Sequence, residues 1–420
     1  MRIRPGFLFL MLSHAALPAS CAGTAGRAGT GGTRNRVPSS GLGVCIEPGV
    51  IDAPETRGER VRTLRLMAVG DILLQTENGK EPFERINDDL NGRDILFGNL
   101  ETVLSTSGQR SRKRWVASAP PESVRYLKEA GFDILNIANN HILDLGREGF
   151  VATLDMLEKN GIAYVGGSAG RQSRRGVVIE RNGIKLGFLG YTTGRLQRPG
   201  DISLHSLRER DILADIDAVK SRCDFVVISL HWGTENCYYP SPQQIRVARR
   251  LIDHGATLIL GHHPHVIQGL ERYGDGLIVY SLGNFQFDTS LMPGRIKSSM
   301  IVTVDFDRQG IADHAVIPCT IDENALPAVA VGAEKELIRK WISNLSGMVS
   351  SGRITRNWWF EEIAGEYLAY NWESYKYRIG RHGIAPLLEC GVWLITPFCL
   401  NCYAGIVRKR LRALRAGGSA

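Results

Sequence analysis

From residue 64 onward, short apolar runs recur along the chain with amphipathic stretches between them. The runs are LRLMAVG (64–70), DILFGN (94–99), DILNIAN (133–139), KLGFLGY (185–191), DFVVISL (224–230), ATLIL (256–260), GLIVYSLG (276–283) and MIVTVDF (300–306). Each has strand length and is rich in branched aliphatic residues, so each predicts a β-strand. PPESVRYLKEAG (120–131), REGFVATLDMLEKNG (147–161) and SPQQIRVARRLIDHG (241–255) instead repeat at helical spacing and end at glycine. Prolines at entry, and Ser241 as a side-chain cap, mark where two of these helices start. Strands that are apolar throughout, alternating with helices, need cover on both faces of their sheet; the fold class is α/β.

The pattern changes toward the C-terminus. Residues 333–378 read as helical and aromatic-rich, densest in NWWFEEIAGEYLAYNWESYKY (357–377). The run IAPLLECGVWLITPFCLNCYAGIV (384–407) follows, backed by RKRLRALR (408–415). It is long enough to span a bilayer, and its basic flank suits the cytoplasmic end of an anchor. Pro386, Glu389, Pro397 and Asn401 oppose a span, leaving an amphipathic surface helix or a buried hairpin as alternatives. At the other end, MRIRPGFLFLMLSHAALPASCAG has the charged start, apolar stretch and small-residue site of a secretory signal. The expected organisation is a signal peptide over 1–22, a flexible Gly/Ser/Thr-rich linker over 23–62 and an α/β domain over 63–320. A helical extension over 321–380 and the apolar-then-basic tail over 381–420, a candidate membrane anchor, complete it. The expected location is therefore outside the cytoplasm, in the cell envelope.

Charge changes this picture only once it is located. The net charge of +8 resides in the ends: residues 1–62 carry +4 and 376–420 carry +7, leaving −3 for the middle. A mildly acidic folded region argues against a nucleic-acid partner. Of the eight cysteines, only Cys399 and Cys402 have a metal-like spacing, in an apolar segment without a second pair, and they read as packing.

The chemistry is written at the strand ends. Three of the ten histidines lie in GHHPHVIQG (261–269), directly after ATLIL. The first strand runs into Asp71, the second into Asn99 and Glu101, the third into Asn139, Asn140, His141 and Asp144, and the fifth into His231 and Glu235. Singly, each has a plain structural reading: Asp71 a helix cap, Asn139 and Asn140 a turn, His231 a core histidine. Together they place carboxylates, amides and imidazoles beyond the carboxyl ends of successive strands, where α/β sheets bind ligands. Oxygen and nitrogen donors without thiolate suit one or two divalent ions such as Mn, Fe, Zn or Mg, and the imidazoles count against calcium.

AVGDILL, GNLET, NIANNHILDLGREG, LHWGTE, GHHPHVIQG and IVYSLGNFQFD, in this order over roughly residues 64–305, resemble the CapA family. This is the capsule-synthesis (poly-γ-glutamate, PGA_cap) branch of the calcineurin-like metallophosphoesterases. The resemblance implies a four-layer α/β/β/α sandwich with metals at the strand ends, and a role at the bacterial envelope. It implies Asp71 as a ligand of a first metal, Glu101 as the bridging carboxylate, and Asn140, His231, His263 and His265 as further ligands. His141 is then the catalytic, substrate-facing histidine and His262 the spare one. One departure stands out: Leu73 occupies the position of a phosphoesterase ligand histidine.

These features imply a metal-dependent hydrolase of a phosphoester or a polymer amide bond, working in the biosynthesis or export of a capsule-type polymer. The partner would be an anionic polymer or phosphorylated envelope substrate, with a polymer synthase complex and the membrane as further candidates. The alternative is a non-catalytic, metal-stabilised protein that tethers or guides such a polymer.

Overall fold

A computed structural model describes residues 63–74, 80–113, 115–170, 176–193, 201–288 and 297–417. The expected signal peptide and linker lie outside the described residues. In chain order the strands of the first half are β1 (Leu64–Ile72), β2 (Ile95–Leu100), β3 (Val103–Leu104), β4 (Ser118–Ala119), β5 (Ile134–Asn136), β6 (Ala163–Val165), β7 (Gly167–Ala169), β8 (Val177–Arg181), β9 (Ile184–Thr192) and β10 (Ile202–Leu204). The second half adds β11 (Phe225–His231), β12 (Leu258–His262), β13 (Leu270–Tyr273), β14 (Gly276–Val279), β15 (Asn284–Gln286), β16 (Ser298–Phe306), β17 (Ile311–Ile321) and β18 (Pro327–Val329). The helices are α1 (Val124–Glu129), α2 (Gly146–Lys159), α3 (Glu209–Lys220), α4 (Pro242–Asp253), α5 (Gly332–Ser350), α6 (Arg356–His382), α7 (Ile384–Leu394) and α8 (Pro397–Gly417).

Two mixed sheets carry the fold. One has eight strands in the order β18-β17-β16-β1-β2-β5-β6, with β15 also pairing β1; the other has six, β13-β14-β12-β11-β9-β8. The period-two alternation of β1 shows how they stack. Leu64, Leu66 and Ala68 enter a layer shared with Phe188, Val227, Leu260 and Val279 of the second sheet. Met67 and Val69 point the opposite way, into a layer with Leu127 of α1 and Phe150 and Leu154 of α2. Beyond the second sheet, Ile228 and Ile259 pack with Ile216 of α3, Leu251 of α4 and Phe360 of α6. The layers are therefore α/β/β/α, as the resemblance implies.

Several boundaries move for local reasons. The third strand is only β5, because the Asn139 side chain turns the chain: its Oδ1 accepts from the backbone N–H of His141 (3.1 Å) and Ile142 (2.9 Å). GLIVYSLG splits into β14 and the approach to β15 around Gly283, whose φ is +75°. PPESVRYLKEAG becomes a tight 3-10 turn followed by the short α1. Ser241 does cap its helix, in a reciprocal capping box with Gln244. α3 and the long β17 have no counterpart among the elements expected from the periodicity.

The C-terminal helices pack onto the outer face of the second sheet. Phe398 of α8 meets Trp359, Phe360 and Tyr367 of α6 with ring centroids 6.0, 5.3 and 4.6 Å apart. Arg408 and Arg412 pair with the buried Glu361 at 3.3 and 3.0 Å. Cys399 and Cys402 are buried free thiols. The apolar tail forms α7 and α8, bent by 59° at the break before Pro397, and among the described residues no single helix is long and apolar enough to cross a membrane.

Candidate metal centre

Within each sheet, the strands that carry the site run parallel, β1-β2-β5 in one and β11-β12 in the other. Their carboxyl ends converge. Gly70 is needed at the end of β1, since a Cβ there would lie 1.9 Å from the Gly283 carbonyl oxygen. That close approach lets the Asp71 N–H donate to the same oxygen at 3.0 Å. Gly261 plays the same part in β12, where a Cβ would meet the Tyr280 oxygen at 1.9 Å.

Asp71 is fully buried among donors. Asn99 Nδ2 donates to its Oδ1 at 2.8 Å, and the His263 backbone N–H donates to its Oδ2 at 3.2 Å. His262 Nδ1 stands 3.2 Å from Oδ1 and His265 Nδ1 3.3 Å from Oδ2. Burial pushes the carboxyl up, but the contacts with His262 and His265 outweigh it and hold Asp71 well below the ordinary carboxylate range. Asn136 Nδ2 in turn donates to Asn99 Oδ1 at 2.9 Å, so an amide chain from β5 through β2 orients Asp71.

Glu101 is the opposite case. Both of its carboxylate oxygens are buried without any hydrogen-bond partner among the described residues. Around its Oε1 stand three imidazoles, with His231 Nε2 at 3.5 Å, His265 Nε2 at 3.9 Å and His141 Nε2 at 4.0 Å. Burial, and next the charge of Asp71, drive the Glu101 carboxyl well above its usual range. Leaving a carboxylate so placed is costly unless a positive charge sits among these groups.

The donor geometry fits a divalent metal ion. Atoms sharing one ion at about 2.1 Å stand roughly 3.0–3.5 Å apart, so groups that close together without aligned hydrogen bonds suit a shared ion. Ligand atoms of Asp71, Glu101 and His265 lie within 4.8 Å of one another, as do those of Glu101, His231 and His263. Asn140 Oδ1 joins the second set, 2.9 Å from His231 Nε2. His263 and His265 reach these places through left-handed backbone at φ +93° and +58°, flanking Pro264. Such conformations persist in non-glycine residues where the surroundings enforce them, and they cluster at functional sites. His265 Nδ1 also meets Asn284 Oδ1 at 2.9 Å, which leaves its Nε2 toward Glu101. Burial carries His263 down to about 4, whereas Glu101 and Asp71 overcome burial and lift His265 to about 10.

Residues 65–289 match the family described as bacterial capsule synthesis protein PGA_cap. The chain belongs to this family. It is 32% identical to the capsule biosynthesis protein CapA of Bacillus anthracis over 67% of this chain and 73% of that protein. With the PGA biosynthesis protein CapA of Bacillus subtilis it shares 28% identity over 73% of this chain and 86% of the relative. A solved structure described as a novel phosphatase, of Mycoplasma pneumoniae, is 13% identical, covers 62% of this chain and 94% of that one, and has a TM-score of 0.41.

All six expected ligands of this PGA_cap protein thus fall in one cluster, and His141 stands beside it. His141 Nδ1 is 2.6 Å from Asp144 Oδ2, while Lys113 Nζ reaches Asp144 Oδ1 at 2.8 Å and bonds the Asn140 carbonyl. His262 is not spare in a structural sense. It is wholly buried at the Asp71 carboxylate, although neither ring nitrogen makes an aligned hydrogen bond among the described residues. Leu73 makes apolar contact here, packed with Ala117 and Phe287, and Phe287 lies against the His265 ring at 5.0 Å. A third donor set brings Glu235 to His263 and His265. Sequence reasoning left Asn136, Asn284 and Lys113 without roles, although Asn136 and Asn284 stand inside the quoted motifs. Tyr370, which hydrogen-bonds Glu235, lies outside the matched segment, where no motif pointed to it.

Proposed function

We propose that this PGA_cap protein is a metal-dependent hydrolase of the cell envelope, acting on a phosphoester or amide bond of an anionic capsule or poly-γ-glutamate-type polymer. The observation that carries the reading is the buried Glu101 carboxylate, bare of donors and ringed by the Nε2 atoms of His231, His265 and His141. Asp71, Glu101, Asn140, His231, His263 and His265 would hold one or two divalent ions. Such an ion, when bound, supplies Lewis acidity toward a phosphoryl or carbonyl oxygen and makes water more acidic.

The chain's own residues do the rest. Asp144 holds Nδ1 of His141, so Nε2 is the nitrogen left to carry a proton to the leaving group. Lys113 fixes Asp144 and the Asn140 backbone, which keeps ligand and acid in register. The Asn136–Asn99–Asp71 chain keeps the Asp71 oxygens directed at the histidines.

Export and membrane association belong to the same proposal. Their support is the leader sequence and a row of exposed apolar residues along α7, α8 and the turn between them, including Leu388, Val392 and Ile395 at 67, 65 and 71% exposure. Arg408, Lys409, Arg410, Arg412 and Arg415 follow, a composition suited to an anionic lipid surface.

The test is turnover of γ-linked glutamate oligomers and generic phosphodiesters by the purified metal-loaded chain and its His141→Ala variant. Turnover that falls about 10²- to 10⁴-fold with metal content unchanged is expected. Metal and polymer binding in both proteins with turnover in neither would establish the tether reading instead.

A further inference from the structure

The cleft in front of His141 is not built by the family-matched segment alone. It is a cavity of about 430 Å³ with His141, Arg112, Lys113 and Trp115 on one side. Its other side is α6, which contributes Tyr370, Ser374 and Arg378. These three positions recur every four residues, so they form one stripe along the helix, beginning at the metal centre and leading away from it. Tyr370 bonds Glu235, itself grouped with His263 and His265. Arg378 is braced by Glu389 of α7 and lies over the Tyr375 ring at 5.3 Å.

The chemistry of this lining is one-sided. Arginine, lysine and hydroxyl donors dominate it, and its one carboxylate, Glu235, is already engaged by Tyr370. Lys113 is committed to Asp144 and the Asn140 carbonyl. Arg112 is exposed and makes no ion pair among the described residues. Trp115 adds a flat apolar surface beside these donors, suited to methylene groups. A ligand complementary to such a wall carries an acceptor-rich anion on a short aliphatic stem.

We propose that Arg112 and the α6 stripe ending at Arg378 form a carboxylate-recognition subsite, which seats the unit next to the bond presented at His141. The subsite rests on the hydrolase reading above but makes its own claim: substrate selection depends on a helix outside the family-matched residues 65–289. Guanidinium groups suit this task because they meet a carboxylate with two parallel donors.

Calorimetric titration of the full metal-loaded chain with γ-linked glutamate oligomers tests it against γ-linked glutamine oligomers of the same length, which keep the shape and lose the charge. The glutamate oligomer should bind at least about tenfold tighter, and Arg112→Ala and Arg378→Ala should each remove roughly fivefold or more of that preference. Arg210→Ala, at an exposed position of α3, should remove none. Arg112→Ala is the decisive variant, since it breaks no ion pair among the described residues and should leave the melting temperature unchanged; Arg378→Lys should restore part of what Arg378→Ala loses. Equal binding of the two oligomers, or the same affinity in the Arg112, Arg378 and Arg210 variants, would overturn the subsite. So would displacement by inorganic phosphate at concentrations where glutarate has no effect, which would assign the cleft to a phosphorylated substrate. Absence of turnover with the charge preference intact would refute the hydrolase reading alone and leave the subsite standing.

Discussion

His141 Nδ1 lies 2.6 Å from Asp144 Oδ2, and the opposite nitrogen of the same ring faces Glu101 Oε1 at 4.0 Å. The aspartate sets which ring nitrogen meets the cleft, and Ala117 N–H, donating to Asp144 Oδ2 at 3.0 Å, holds the aspartate. Asp144→Asn keeps much of this bonding but removes the charge. It should lower turnover about 10- to 100-fold, less than His141→Ala, with metal content unchanged. Wild-type turnover in Asp144→Asn would mean that the pair only shapes the loop.

Glu101 gives a prediction of opposite signs. Its carboxylate is buried without donors, so the metal-free protein should gain stability when Glu101→Gln removes the charge. The same change should abolish the thermal response to added Mn or Zn. In the unaltered protein, chelation should lower the melting temperature by roughly 5 °C or more, as expected for loss of a ligand that binds only the folded state. Melting curves of both proteins with and without metal decide it; a metal response preserved in Glu101→Gln would remove the bridging role.

The three histidines of GHHPH should separate by assay. His263→Ala and His265→Ala are expected to reduce metal content sharply. His262→Ala should reduce it much less but cost about 2 kcal/mol of stability, because it empties a fully buried site against Asp71 and Phe97. Equal metal loss in all three variants would place the register wrongly.

Leu73 sets the expected stoichiometry. The set Glu101, Asn140, His231 and His263 should be filled on purification, while Asp71, Glu101 and His265 form a three-donor position beside an apolar wall. Metal analysis should therefore give closer to one ion per chain than two. Leu73→His should raise the count, increase phosphodiesterase activity on a generic substrate and lower the melting temperature, since an imidazole replaces a side chain packed on Phe287. Two tightly held ions in the unaltered protein would show that a neighbour such as Glu235 completes the first position.

Membrane association should reside in the exposed face of α7 and α8. Deleting residues 380–420 would also strip Phe398, Arg408 and Arg412 from α6, so surface substitutions separate the effects better. Leu388→Glu with Val392→Glu should release the protein from washed membranes without changing its melting temperature. Retention of the double variant on membranes would make the helices a structural cover for the second sheet.

Local chemistry made much of this legible in the amino-acid order. Strand length and apolar content located the central strands, because a strand buried on both faces must be apolar throughout. The polar residues ending successive strands marked the rim, since ligand groups in α/β proteins gather there. What the order of residues left open was decided by contacts between segments far apart in the chain. That Glu101 stands among three imidazoles depends on the end of β11 and the segments following β5 and β12 meeting around it. That His262 supports Asp71 depends on one sheet end facing the other, and that Leu73 lies under Phe287 depends on β15 pairing with β1. The C-terminal aromatic helix showed only its periodicity in sequence; its place as a wall of the cleft follows from packing against the second sheet, which no local pattern encodes.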